Sequence, residues 1–270
     1  MKKKNHLLDI NLTNNHMNNN VICYYSNIKD YKFSDESLSL INSWKENWKR
    51  KGWNPILLDE DYARSNNSLN EIDIDDFESN LYKFTSNNPS YLIQCYLRWF
   101  AYTKFIFENG DTLWCDYDVY NHSLEYNIFE SKYGKPSLHC GSGAVGFMDL
   151  DISKKWLNYL KEFYKHDSTN NTNTEFEEIF KIEDINDMMI LKSFADSNPN
   201  FQWRPLSFNF NWDRSVIDVK IMNQNWSLFH VHGGLHSRNN GNQFQSIDIP
   251  SECVTRGEIK SYVEKLLNSI

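Results

Sequence analysis

The stretch Asn109-Gly110-Asp111-Thr112-Leu113-Trp114-Cys115-Asp116-Tyr117-Asp118-Val119 passes from a helix stop, through four strand-forming residues, into two carboxylates two positions apart. Upstream of it, Leu92, Cys95, Trp99, Tyr102 and Ile106 recur at helical spacing and predict an amphipathic helix over Tyr91 to Glu108. Further back, Val21-Ile22-Cys23-Tyr24-Tyr25 reads as a buried strand. Leu38, Ile41, Trp44 and Trp48 then predict a helix over Ser37 to Lys51, which Gly52 ends, and Asn54 to Leu58 reads as a second strand. A strand, a long helix and a strand form a parallel crossover. Residues 64–80 are polar and acidic, which suits a loop with a short helix. Downstream come a strand over Ala144 to Met148, a helix over Ser153 to His166, a polar loop at 167–174 and a helix over Ile185 to Ala195. Trp226 to Val231 reads as a strand and Gly257 to Leu267 as a closing helix. The alternation predicts an α/β fold with a mixed, mainly parallel sheet flanked by helices, whose ligands sit beyond the carboxyl ends of the strands.

Composition narrows the function classes. The chain has 270 residues, enough for one domain with a substantial core, and 15% are aromatic, which excludes a disordered chain. Residues 1–20 are polar and Asn-rich and read as a loose tail before a single domain at 21–270. The net charge is −8 without a basic block, so nucleic acid is not an expected partner. No apolar run reaches the length of a membrane span and no leader pattern follows Met1, so neither a transmembrane segment nor a signal peptide is expected. The cysteines, Cys23, Cys95, Cys115, Cys140 and Cys253, are odd in number and lack a Cys-x-x-Cys pair. They argue against a zinc cluster or disulfide framework and for a reducing cytoplasm.

Four Asp-x-Asp pairs occur: Asp59/Asp61, Asp73/Asp75, Asp116/Asp118 and Asp149/Asp151. Only Asp116/Asp118 follows a helix, a turn and an apolar strand, so it is the candidate for a divalent cation that also holds a diphosphate. Asp149/Asp151 reads as the start of the next helix, where carboxylates favour the dipole, and the other two pairs read as surface. A second candidate is Phe229-His230-Val231-His232-Gly233-Gly234-Leu235-His236-Ser237-Arg238, with three histidines around a Gly-Gly turn. Imidazole suits Mn²⁺, glycines let backbone approach phosphate, and Arg238 can pair with it. Arg98, on the helix before the carboxylates, is a third candidate, for reaching a donor nucleotide or for a surface ion pair. Asp187, before an apolar helical run, reads from spacing as a helix start.

The order of these segments resembles the GT-A glycosyltransferases, above all those with a DxD sugar-binding region related to yeast-type mannosyltransferases. The resemblance is carried by Val21–Tyr25, Ser43-Trp44, Gly52-Trp53-Asn54-Pro55, Arg98, Ala101 and the run from Asn109 to Val119. Cys140 to Met148 is similar to the small-residue acceptor loop and strand of those enzymes, and Asp187 lies where they carry an acid-polar pair. The segment at His230 is similar to the H-x-x-G-x-x-K motif of glycogenin-like galactosyltransferases. His230 and Gly233 match, the Lys position is His236, and Arg238 stands nearby to substitute. The resemblance covers roughly residues 21–236. It implies a Rossmann-like GT-A fold, Mn²⁺ or Mg²⁺ held by Asp116, Asp118 and His230, and a UDP- or GDP-sugar donor bound by Arg98, Asp116, Gly233, His236 and Arg238. It also implies a glycan or glycoconjugate acceptor, retention of configuration, and Asp187 as the catalytic residue that orients sugar hydroxyls.

Two other readings use the same residues. A metal-dependent nucleotide-sugar or phosphoester hydrolase would need a second carboxylate cluster for a bridged metal pair. A non-catalytic sugar-nucleotide binding protein would not turn its donor over. A P-loop enzyme is excluded by the absence of G-x-x-x-x-G-K-[ST], and a sugar nucleotidyltransferase lacks its Gly-rich basic loop after the first strand.

Overall fold

The computed structural model describes residues 18–26, 34–65, 74–81, 89–139, 143–165, 176, 186–203, 207–209, 227–230, 261 and 265. Residues 1–17 of the expected tail, the loop at 167–174, Cys140 to Ser142, Gly233, His236 and Arg238 lie outside them. So does most of the expected closing helix, of which Ser261 and Lys265 are both helical.

The chain alternates as the apolar runs require. Strand β1 (Asn20–Tyr24) leads through α1 (Ser34–Lys49) to β2 (Asn54–Leu58). Helices α2 (Glu60–Arg64), α3 (Ile74–Leu81) and α4 (Pro89–Asn109) precede β3 (Thr112–Cys115). Next come β4 (Val119–Asn121), α5 (Tyr126–Tyr133), β5 (Ser137–Leu138), β6 (Val145–Met148) and α6 (Leu150–Tyr164). The last described elements are α7 (Asp187–Ser197), β7 (Gln202–Trp203), β8 (Ser207–Asn209) and β9 (Leu228–His230).

The sheet has the order β2-β1-β3-β6-β5-β7 and is mixed. β1 lies parallel to both β2 and β3, as a helical crossover demands. β6 then runs antiparallel to β3 and to β5, and β5 pairs parallel with β7. Alternate residues of the central strands enter two cores. Ile22, Tyr24, Trp114 and Met148 face the core built with α4, α6 and α7. Val21, Cys23, Leu113, Cys115, Val145 and Phe147 face the one that holds Trp44 and Trp48 of α1. Strands buried on both faces have no polar side, which is why they appear in the sequence as unbroken apolar runs. Truncating a buried tryptophan of this kind typically costs about 3–5 kcal/mol.

Three details depart from the sequence reading. Leu38 is 56% exposed, and Leu40, Ile41, Trp44 and Trp48 form the buried stripe of α1 instead. α4 is buried on every side from Trp99 to Ile106, so it is a central helix rather than an amphipathic surface one. Asn18 to Asn20 are tied to the domain rather than part of a tail. Asn18 Nδ2 donates to Asn109 O at 2.6 Å, the Asn19 carbonyl accepts from Asn54 N at 2.8 Å, and Asn20 opens β1. The glycine stop after α1 is as expected: Gly52 has φ +81°, a conformation that favours glycine. Among the described residues no helix is long and apolar enough to cross a membrane.

Candidate active site

Asp116 and Asp118 lie where β3 ends. The Asp116 amide donates to Ala144 O at 2.8 Å, which keeps β3 paired with the β6 segment up to the first carboxylate. The chain then turns, with Val119 N donating to Asp116 O at 3.1 Å, and enters β4. This tight turn brings two side chains separated by one residue close together.

Helix α1 fixes the position of β4. Asn47 Nδ2 donates to Asn121 O at 3.0 Å, and Asn121 N returns a bond to Asn47 Oδ1 at 2.7 Å. Trp48 Nε1 reaches Val119 O at 3.4 Å. With β4 held there, β9 adds to it antiparallel, in a register that sets His230 opposite Val119. β8 completes this second sheet parallel to β9. A histidine far along the chain is thereby brought beside Asp118, with Nε2 3.4 Å from Asp118 Oδ1.

The ligand atoms of Asp116, Asp118 and His230 all lie within 4.8 Å of one another. Arg98, from α4, closes the other side. Its Nη1 lies 3.3 Å from Asp116 Oδ1, its Nη2 2.6 Å from Asp187 Oδ2 and its Nε 3.1 Å from the same oxygen. Nη2 also lies 2.9 Å from Met188 Sδ, and the guanidinium carbon sits 5.1 Å from the Trp99 ring centroid. Trp99 Nε1 donates to Asp187 Oδ2 at 2.7 Å. Asp187 opens α7 behind the N-cap Asn186, whose side chain accepts from Met189 N. Asp187 is therefore not the cap, and its carboxylate is turned into the protein.

The local charge suits a divalent ion. Asp116, Asp118 and Asp187 against Arg98 leave two formal negative charges when His230 is neutral. Burial raises the Asp116 carboxyl to about 6; Arg98 pulls it down, Asp118 pushes it up and His230 pulls it down. Burial disfavours the Arg98 cation, but Asp187 and Asp116 outweigh it and raise its pKa well above the usual guanidinium value. Burial also raises the nearby Cys95 thiol to about 12, with Asp187 adding, so this cysteine is no nucleophile at neutral pH. Two carboxylates and an imidazole are a hard-to-borderline donor set that fits Mn²⁺ well, and Mg²⁺ if water supplies further oxygens.

The structure thus brings together Asp116, Asp118, His230, Arg98 and Asp187. The other Asp-x-Asp pairs are elsewhere: Asp59 Oδ1 caps α2 through Tyr62 N at 2.8 Å, and Asp149 Oδ1 caps α6 through Ile152 N at 2.8 Å. Asp75 is exposed. Trp99 is a site residue that the sequence reading assigns only to an apolar stripe, and nothing in the linear pattern marks its indole N–H. The segment at 143–146 supports the site from behind. Gly143 has φ +64°, and its carbonyl accepts from Trp114 Nε1 at 3.0 Å. A Cβ on Gly143 would lie 2.7 Å from Met188 Cε, so this close approach lets the segment pack against α7.

No family model and no curated protein sequence matches the chain. Among solved structures, it is similar to the galactosyltransferase LgtC in complex with donor and acceptor sugar analogs. The identity is 12%, 93% of this chain and 96% of that one are covered, and the TM-score is 0.44. It is also similar to mouse xyloside xylosyltransferase 1 in its apo form, at 8% identity over 80% of this chain and 85% of that one, with a TM-score of 0.43. A glycosyltransferase involved in glycosylation of the major capsid of PBCV-1 matches at 11% identity, over 91% of this chain and 98% of that one, with a TM-score of 0.36.

Proposed function

We propose that this chain is a metal-dependent glycosyltransferase that moves a hexosyl group from a UDP- or GDP-sugar to a glycan or other hydroxyl acceptor. The observation that carries the reading is the group at the end of β3, where Asp116, Asp118 and His230 converge beside Arg98. Asp116, Asp118 and His230 would hold Mn²⁺ or Mg²⁺, which when bound supplies positive charge to a nucleotide diphosphate. The place agrees with the general rule that ligands of open α/β sheets lie outside the carboxyl ends of the strands.

The chain's own residues then have distinct tasks. Arg98 provides a fixed cation beside the departing diphosphate. Gly233, His236 and Arg238 are proposed to complete the phosphate site. Transfer proceeds with retention, the acceptor's proton passing to the departing phosphate oxygen, so orientation and electrostatic stabilisation carry the rate. Cys23, Cys95 and Cys115 are free thiols, in keeping with work in a reducing compartment such as a cytoplasm.

The test is a screen of nucleotide sugars, read by nucleotide release with Mn²⁺ present. Turnover of one donor, abolished by EDTA and restored by Mn²⁺, is the expected result. Asp118→Asn keeps the side-chain shape and weakens the ligand, so turnover should fall by orders of magnitude while the fold survives. Full activity of that variant would refute the assignment.

A further inference from the structure

Arg98 stands between two carboxylates, and its contacts with them are unequal. Two of its nitrogens, Nη2 at 2.6 Å and Nε at 3.1 Å, donate to Asp187 Oδ2, whereas Asp116 Oδ1 faces only Nη1, at 3.3 Å. Trp99 Nε1 donates to the same Asp187 oxygen at 2.7 Å. The Asp187 side chain is 2% exposed and that of Asp116 is 28% exposed. A contact made twice, shorter and deeper is the stronger one, because charge-assisted bonds strengthen as water is removed. Asp187 therefore sets where the guanidinium rests, and Asp116 is touched by its outer nitrogen alone.

Removing the Asp187 charge leaves a buried guanidinium in search of a partner. The carboxylate already in contact with it is Asp116. An arginine that closes on a carboxylate in fork geometry covers both of its oxygens. It would then place a fixed positive charge on a ligand that a divalent cation requires.

We propose that Asp187 is a positioning residue that, together with Trp99, holds Arg98 off Asp116 and so keeps the Asp116 carboxylate open to a cation. The inference rests on the reading of Asp116, Asp118 and His230 as cation ligands. It assigns Asp187 an effect that is transmitted through Arg98.

The experiment measures Mn²⁺ binding to the full chain by electron paramagnetic resonance, with no nucleotide present. It compares wild type, Asp187→Asn, Arg98→Gln and the double variant. Asp187→Asn should bind Mn²⁺ about tenfold more weakly, the scale of one charge-assisted hydrogen bond. In the Arg98→Gln background the same substitution should change affinity less than about twofold, since the intermediary is gone. An equal loss in both backgrounds overturns the proposal in favour of a direct field effect. Unchanged Mn²⁺ affinity in Asp187→Asn overturns it too, whatever the turnover. If Asp187→Asn does not fold, Trp99→Phe, which removes the other donor to Asp187 Oδ2, is measured in its place: weaker Mn²⁺ binding that disappears in the Arg98→Gln background supports the proposal, and unchanged binding overturns it. Failure of the wild-type chain to bind Mn²⁺ refutes the cation reading itself and this inference with it.

Discussion

Gly146→Ala tests the pairing on which the site is built. Gly146 lies opposite Trp114 in the antiparallel β3–β6 ladder, and the indole lies over the space where a side chain would be. A Cβ there would stand 2.1 Å from Trp114 Cζ2, 2.2 Å from Cη2 and 2.8 Å from Cε2. Carbon atoms rest at roughly 3.5–4.0 Å, so the ring would have to shift by more than about 1 Å. It has nowhere to go. Trp99 meets it edge-on at 5.5 Å, Tyr102 and Phe201 stack on it at 6.2 and 6.4 Å, and its Nε1 is bonded to Gly143 O. Overpacking costs about 1–3 kcal/mol, and loss of the indole bond adds about 1 kcal/mol. With roughly 2–4 °C of melting temperature per kcal/mol in a chain of this size class, Gly146→Ala should melt roughly 5–15 °C lower by circular dichroism. Trp114→Phe in the same chain should recover part of the loss by making room. A melting temperature within about 1 °C of wild type would show that the indole does not lie over Gly146, and the β3–β6 register would fall with it.

Two other outcomes separate a structural carboxylate from a ligand. Asp149→Ala removes the α6 cap and should cost about 1 kcal/mol of stability by thermal melting, while leaving Mn²⁺ affinity unchanged. Asp116 must be ionised to ligate, and burial holds its pKa at about 6, so protons compete with the cation as pH falls. In a His230→Gln background, which removes the imidazole's own proton and its downward pull on Asp116, calorimetry should show Mn²⁺ affinity falling by at least about tenfold from roughly pH 7 to roughly pH 5. A flat profile over that range, as for a carboxylate near its ordinary value, would refute the shift.

What could be read from the sequence was what local chemistry decides. Val21–Tyr24 and Thr112–Cys115 stand out because both faces are buried, and Gly52 because the chain turns left-handed there. Asp116/Asp118 could be chosen from four similar pairs by its place after a strand. The reversal of β6 could not be read, because a four-residue apolar run carries no mark of direction. β9 lies inside the strand expected over Trp226 to Val231, whereas β4, β5, β7 and β8 are two or three residues each and too short to carry a pattern. The same holds in the site. Arg98 and Asp187 each drew notice, but their bond depends on the fold bringing the start of α7 to α4, which no spacing in the chain encodes. α4 misled because a helix buried on all sides still shows one apolar stripe when only part of its surface is scored.

The register that sets His230 opposite Val119 has a consequence for biosynthesis. β9 is the last of the described strands, and the two aspartates leave the ribosome well before it. At about 5–20 residues per second, the interval between Asp118 and His230 is on the order of ten seconds. During that time a nascent chain can pair β1, β2 and β3 and expose two neighbouring carboxylates without the imidazole. The proposed cation site would then be completed only when the second sheet closes, so a chain stalled or cut before β9 would carry the carboxylates without the imidazole.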